Sequence, residues 1–220
     1  MSQPRQARRY RSARRRADAE RTRRRIVEAA RSLFARDGID RVTMEKIARR
    51  AGVALPTVYA AFRSKAGLLR EIMRGAIFGA RYHAAAARLE QTSDPIALLR
   101  LTAAVARAIY ENETREIGLL RGASAFSPEL RRLEREFETT RFEMQRRRVE
   151  LLARRSLLRP GMSVPRARRL VWMYTSRDVY RMLVIEGGWP PPAFERWLAD
   201  TLVTSLVTGR GRGPPPRARK

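Results

Sequence analysis

Apolar positions recur three and four residues apart along almost the whole chain, and no stretch alternates over a useful strand length, so the pattern predicts an all-α protein. The first stripe is Ile26, Ala29, Ala30, Leu33 and Phe34; it predicts a helix over about 21–36 that stops at Asp37-Gly38. Val42-Thr43-Met44-Glu45-Lys46-Ile47 opens the next helix. Thr43 stands at the N-cap, Glu45 sets a negative charge in the first turn, and Val42 and Ile47 have the spacing of a hydrophobic staple. This short helix ends at the Ala51-Gly52-Val53 turn, and a second short helix follows through Pro56 to Phe62. Val58 and Phe62, four apart, face inward, which leaves Leu55, Pro56, Tyr59 and Ala60 nearer the surface. Two short helices about a glycine turn, braced by an amphipathic helix, form the pattern of a three-helix helix-turn-helix domain.

Six further helices are expected: 65–88, 95–112, 114–123, a long one from Ser127-Pro128 closed by Arg159-Pro160-Gly161, 164–186, and a last one carrying Phe194, Trp197, Leu198, Thr201, Leu202 and Ser205. That makes about nine in all. No apolar run approaches the length of a membrane span, and the N-terminus lacks the apolar stretch of a signal peptide, so a cytoplasmic, nucleoid-associated protein is expected.

Charge sharpens this picture. The 220 residues carry 48 basic and 22 acidic side chains, a net +26, and such a field attracts polyanions. The excess is concentrated: residues 1–62 hold 17 basic and 6 acidic side chains, whereas 63–208 hold 26 and 16. Residues 1–17 carry seven arginines and almost nothing apolar, which predicts a basic disordered arm over 1–20; GRGRGPPPRARK predicts a matching tail over 209–220.

The stretch TMEKIARRAGVALPTVYAAFRSKAGLL, Thr43 to Leu69, resembles the DNA-binding segment of the TetR family. The matching features are Thr43, Ile47-Ala48, Ala51-Gly52-Val53, Thr57, Tyr59, Phe62, Ser64-Lys65 and Leu68-Leu69. The resemblance implies a helix-turn-helix domain over 21–66 and a helical regulatory and dimerisation domain over 67–208. It implies a sequence-specific, homodimeric regulator of transcription, a repressor released by a small apolar effector, acting on a palindromic operator in double-stranded DNA. It further implies that Thr43, Tyr59 and Lys65 hydrogen-bond phosphates, and that Leu55, Pro56 and Thr57, following Ala54 at the cap, approach base edges. For Tyr59 the alternative is a half-buried ring packing against its own domain, and for Lys65 a solvated lysine at a helix start.

One departure stands out. The family commonly caps its recognition helix with serine, and this chain has Ala54, which forgoes a cap worth about 1 kcal/mol. Pro56 in the first turn offsets part of that loss by fixing φ. Leu55, Pro56 and Ala60 offer bases only apolar contact, for example with thymine methyls, so specificity leans on Thr57, backbone groups and DNA shape.

Arg14, Arg15 and Arg16 are candidates to track phosphates or reach a minor groove, or else form a solvated tail that raises non-specific affinity. Tyr110, Phe137, Met144 and Trp172 are candidates for an effector pocket. Tyr180, Leu183, Trp197, Leu198, Thr201 and Leu202 are candidates for a dimer interface; for all of these the alternative is ordinary core.

With no cysteine and His83 as the single histidine, most acid–base and nucleophilic arrangements cannot be built, and no nucleotide-loop, zinc-protease or hydrolase-elbow motif occurs. No enzyme, cofactor or metal is expected. The rival reading is a basic protein that coats nucleic acid through charge alone, which the tails favour and the ordered Thr43–Leu69 segment does not.

Overall fold

A computed structural model describes residues 3–111 and 127–208, with side chains from residue 13 onward. Every regular element there is a helix, as the periodicity implies, and the extended pairing among the described residues is one isolated bridge between Leu158 and Val207. In chain order these are α1 (Gln3–Asp37), α2 (Met44–Ala51), α3 (Leu55–Phe62), α4 (Lys65–Ile77), α5 (Ala80–Glu90) and α6 (Pro95–Glu111). After residue 127 come α7 (Pro128–Met144), α8 (Arg146–Arg154), α9 (Val164–Tyr174), α10 (Arg177–Tyr180), a π-helical turn (Arg181–Glu186) and α11 (Pro191–Leu206). The expected helix over 114–123 and the tail over 209–220 lie outside the described residues.

The helices fall into two units, one of Met1–Ala76 with Glu113–Arg135, the other of Ile77–Asn112 with Glu136–Lys220. The sequence reading instead sets one boundary after residue 66. The difference comes from α4, whose Leu68, Leu69, Ile72, Met73 and Ala76 are buried and carry the first core down to Ala76.

The first unit closes around Ile26, Phe34, Val42, Ile47, Val58 and Leu68, all fully buried. Each such large side chain contributes about 1.5–3 kcal/mol by leaving water. That burial is what holds α2 and α3, because isolated helices of eight residues are marginal in water.

Of the arm expected over residues 1–20, residues 3–20 are helical instead, forming the first half of the 35-residue α1. Nothing between Arg5 and Asp37 interrupts it: the stretch has neither glycine nor a further proline and is rich in arginine and alanine, both strong helix formers. Pro4 falls in the first turn, where a missing N–H costs nothing. Once the apolar end of α1 is anchored in the core, nucleation is already met and the polar end propagates from it.

In the second unit Leu99, Ala103, Ala106 and Tyr110 on α6 pack with Phe194, Leu198, Leu202 and Leu206 on α11. Val149 and Leu152 of α8 and Ala167 and Val171 of α9 complete this core.

Three long helices of the sequence reading are broken. The one over 65–88 divides at Phe78-Gly79, where Gly79 takes an extended conformation and caps α5. The one after Ser127-Pro128 divides at Gln145, whose N–H bonds the Phe142 carbonyl at 3.3 Å, one residue tighter than the α-helical ladder. The one over 164–186 divides at Thr175-Ser176, where the Ser176 hydroxyl accepts from the Val179 N–H at 3.3 Å and starts α10. No helix among the described residues is long and apolar enough to cross a membrane.

Candidate nucleic-acid interface

Thr43 caps α2 as its sequence position implies. With φ −99° and ψ 162° its hydroxyl accepts from the Lys46 N–H at 3.3 Å. The same hydroxyl hydrogen-bonds the Glu45 carboxylate and holds it below the usual range, helped by the backbone N–H of Glu45 itself. Val42 and Ile47, the staple pair, are both fully buried. Gly52 ends α2 in the left-handed region, φ +64°, with its N–H directed at the Ala48 and Arg49 carbonyls.

The helix α3 starts without a side-chain cap, as Ala54 requires, and the Thr57 N–H bonds the Ala54 carbonyl at 3.0 Å. Val58 and Phe62 are buried, Pro56, Thr57, Tyr59 and Ala60 are exposed, and Leu55 is half-buried. Tyr59 retains 43 % of its surface. Its hydroxyl has no partner among the described residues. The exposed stripe of α3 is therefore a short row of one phenol, one threonine hydroxyl and small apolar groups.

Two arginines of α1, not singled out from the sequence, brace this pair of helices. Arg23 donates to the Ala61 carbonyl and to Glu71 Oε2, both at 2.9 Å, while its guanidinium lies 4.4 Å from the centre of the Phe62 ring. Arg25 donates to the Ala51 and Gly52 carbonyls at 2.5 and 3.2 Å. Cations at helix C-termini answer the orphan carbonyls and the negative end of the dipole. Gly67 is a third unsung position: a Cβ there would lie 2.1 Å from the Phe62 carbonyl oxygen, so α4 can start this close to the end of α3 only with glycine. An isolated glycine within a helical pattern is the sequence signal that marks it.

Lys65 is the first residue of α4. Its ammonium donates to the Ile39 carbonyl at 2.9 Å and is partly withdrawn from solvent. Arg14, Arg15 and Arg16 are exposed on α1. Because successive helical residues turn by about 100°, these three do not share one face. His83 is exposed.

In the second unit the four pocket candidates separate. Tyr110 and Met144 line a common cavity with Arg141, Gln145, Arg148 and Thr175, whereas Phe137 and Trp172 are not among its walls. Trp172 donates from Nε1 to Glu138 Oε2 at 3.1 Å and lies under the Arg141 guanidinium, 4.9 Å from its ring centre. The interface candidates separate too. Tyr180, Leu198 and Leu202 are 4 % exposed or less and belong to the chain's own core, Tyr180 packed edge-on to Phe194 at 4.9 Å, so they are corrected to core residues. The cause is the phase of α11: its Phe194–Leu198–Leu202–Leu206 stripe faces α6. Leu183, Trp197 and Thr201 remain half-buried.

Residues 26–72 match the family described as bacterial regulatory proteins, tetR family. The chain is 40 % identical over 57 residues to the HTH-type transcriptional regulator SrpR of Pseudomonas putida, a match covering 26 % of this chain and 27 % of that protein. Among solved structures it is similar to NalD, the secondary repressor of the MexAB-OprM multidrug efflux pump in Pseudomonas aeruginosa, at 27 % identity and a TM-score of 0.68 over 87 % of this chain and 98 % of that one. A transcriptional regulator from Saccharomonospora viridis in complex with choline shares the fold at 19 % identity and a TM-score of 0.65, over 86 % of this chain and all of that one.

Proposed function

From a chain that belongs to the TetR family of bacterial regulatory proteins, we propose a dimeric, sequence-specific DNA-binding regulator, a repressor that releases its operator when a small molecule occupies the second unit. The observation that carries the reading is α3 itself. Its inward residues Val58 and Phe62 fix it in the first core, its C-terminus is braced by Arg23, and it turns Pro56, Thr57, Tyr59 and Ala60 outward. A helix held this firmly with a narrow, weakly charged outer face reads base edges. A protein that bound by charge alone would need no such element.

The role of charge is then to add affinity without sequence information. The exposed arginines of α1, with no apolar face to bury along residues 13–20, supply phosphate contacts on any duplex. Thr57 donates to a base or to the edge of the groove, and Tyr59 donates to a phosphate. Lys65 reaches the backbone only by sharing its ammonium with the Ile39 carbonyl.

A two-fold dimer presents two copies of α3 about 34–36 Å apart, one turn of the duplex. Met173, Met182, Ile185 and Trp189 support this arrangement: they retain 44, 49, 69 and 37 % of their surface on α9, the π-helical turn and the loop before α11. Exposed apolar side chains in this number ask for a cover, and a second copy provides one, with Leu183, Trp197 and Thr201 at its edge. The choline complex of a structural neighbour supports a second unit that senses a small molecule. Such a ligand works by preferring one spacing of the two recognition helices, with a coupling of about 1–3 kcal/mol.

The test is a footprint combined with the mass of the complex. Two protected half-sites one helical turn apart, carrying two chains, are expected. Continuous protection that grows with protein concentration and shows no half-sites contradicts the reading.

A further inference from the structure

Among the described residues three of polar type are buried, Thr102, Gln145 and Thr175, and all three line one cavity in the second unit. Burying a polar side chain costs free energy unless it is hydrogen-bonded, and an apolar core needs none. The convergence of all three on a single space, together with Arg141 and Arg148, marks a built site.

The two arginines differ in one respect. Arg141 has its counter-ion: Nε and Nη2 donate to Glu138 Oε2 at 3.1 and 2.6 Å, and Nη1 donates to the Trp172 carbonyl at 2.6 Å. Arg148 has no carboxylate among the described residues. Its hydrogen bond runs from Nη1 to Gln145 Oε1 at 2.9 Å, a neutral acceptor. Burial pulls its guanidinium below the ordinary value, opposed in part by nearby Tyr82.

That bond also orients the amide. Arginine only donates, so Gln145 gives it the carbonyl oxygen and turns its NH2 group away, where no acceptor among the described residues meets it. The hydroxyls are already spent: Thr102 donates to the Leu98 carbonyl at 3.0 Å, Thr175 to Val171 at 2.7 Å, and Tyr110 to Thr175 at 2.9 Å. What remains to serve a guest is N–H on a cation and on an amide. The cavity offers N–H donors and, among the described residues, one positive charge without a carboxylate partner, beside hydroxyl oxygens whose own hydrogens are spent.

We propose that this cavity is the head-group site for a carboxylate, so that the effector is an organic anion with an apolar body; this rests on the reading of the second unit as the sensor. The carboxylate oxygens accept from the Arg148 fork and the Gln145 amide, the charge-assisted geometry that arginine serves best. The cavity measures about 20 Å³, room for one water-sized group, so its walls must give for the larger carboxylate head to enter. The body lies against Ile109 and Met144, and methionine, unbranched and with three rotatable bonds, adapts to its outline. An ammonium head meets like charge at Arg148, and a purely apolar effector, the one expected from the sequence, leaves these donors unanswered.

The test takes the full chain and two sets of probes that share a body and differ in head: benzoate, benzyl alcohol and benzylammonium, and hexanoate, hexanol and hexylammonium. Binding is followed by calorimetry at physiological salt, and release of a DNA duplex is followed in parallel. At least one carboxylate is expected to bind once per chain, about tenfold or more tighter than the alcohol or ammonium of the same body. Arg148→Met is expected to lose that preference, and Arg148→Lys, which keeps the charge, to retain part of it. Equal binding of the three heads, no binding by either carboxylate, or unchanged carboxylate affinity in Arg148→Met overturns the proposal. The sensor reading fails separately: DNA release by an alcohol or ammonium alone keeps the sensor and removes the anion, whereas carboxylate binding that depends on Arg148 but leaves DNA bound supports the site and removes the sensor.

Discussion

Arg25 lies across Gly52. Its guanidinium donates to the carbonyls of Ala51 and Gly52, and a Cβ added to Gly52 would stand 3.0 Å from Arg25 Nη2. The glycine turn of the helix-turn-helix is therefore held from outside by a side chain of α1, and the two positions constrain each other. Gly52→Ala takes on the cost of φ +64° for a side-chain-bearing residue, about 1–2 kcal/mol, and pushes against Arg25 as well. Arg25→Gln loses carbonyl bonds worth about 0.5–1.5 kcal/mol. In urea denaturation the double variant is expected to lose less than the sum of the two, because the clash with Arg25 disappears with Arg25. Strict additivity would show that the two residues do not act on each other.

Gly67 offers a harder test of the packing between α3 and α4. Its φ is not in the left-handed region, so the glycine is needed for space alone, a Cβ falling 2.1 Å from the Phe62 carbonyl. Gly67→Ala is expected to cost about 1–3 kcal/mol or more and to weaken DNA binding by tilting α3. A variant within about 0.5 kcal/mol of the parent, the range of ordinary surface changes, would contradict this.

Thr43 couples a cap to a titration. Thr43→Ala is expected to lower stability by about 1 kcal/mol through the lost cap. It is also expected to let the Glu45 carboxyl rise toward its ordinary value, followed by NMR. The sign is set by the direction of the shift: Glu45 is held low in the folded chain, so its contribution is present above the unfolded carboxylate range and is lost as pH falls through the folded value. The acid limb of the stability profile should therefore flatten in Thr43→Ala, and an unmoved Glu45 titration would rule out the link.

Core and interface in the second unit are separable by substitution. Leu198→Ala removes a fully buried side chain and is expected to cost about 2–5 kcal/mol in any oligomeric state. Ile185→Asp, at a position 69 % exposed, is expected to leave the fold intact and to shift sedimentation from dimer to monomer. A dimer unaffected by Ile185→Asp would place the interface elsewhere.

Much of this was legible in the residues before the structure. The Thr43 cap, the Val42–Ile47 staple, the Gly52 turn and the inward Val58 and Phe62 are local signals, each set within four or five residues, and each stands where the sequence puts it. The breaks at Gly79, Gln145 and Ser176 were not legible, since apolar periodicity runs on through a capped interruption. The braces from Arg23 and Arg25 span 26 to 48 residues, and arginine in a chain with 45 of them carries no signal of its own. The interface candidates failed at Tyr180, Leu198 and Leu202 because a helix with apolar residues on more than one face does not announce which face meets its own chain. Of the cavity's lining, Tyr110 and Met144 were drawn from aromatic and thioether chemistry, whereas Gln145 and Arg148 were not singled out, because their burial is set by helices distant in sequence.

The most direct test of the central claim is selection of binding sites from a random duplex library at physiological salt, with the parent chain and with Thr57→Ala and Tyr59→Phe. A two-fold symmetric site is expected, with altered base preference in Thr57→Ala and roughly tenfold weaker binding at unchanged preference in Tyr59→Phe, the loss of one hydrogen bond to a charged phosphate. Binding that enriches no symmetric site and falls away with salt alike for every sequence would contradict the account, leaving charge rather than α3 in control.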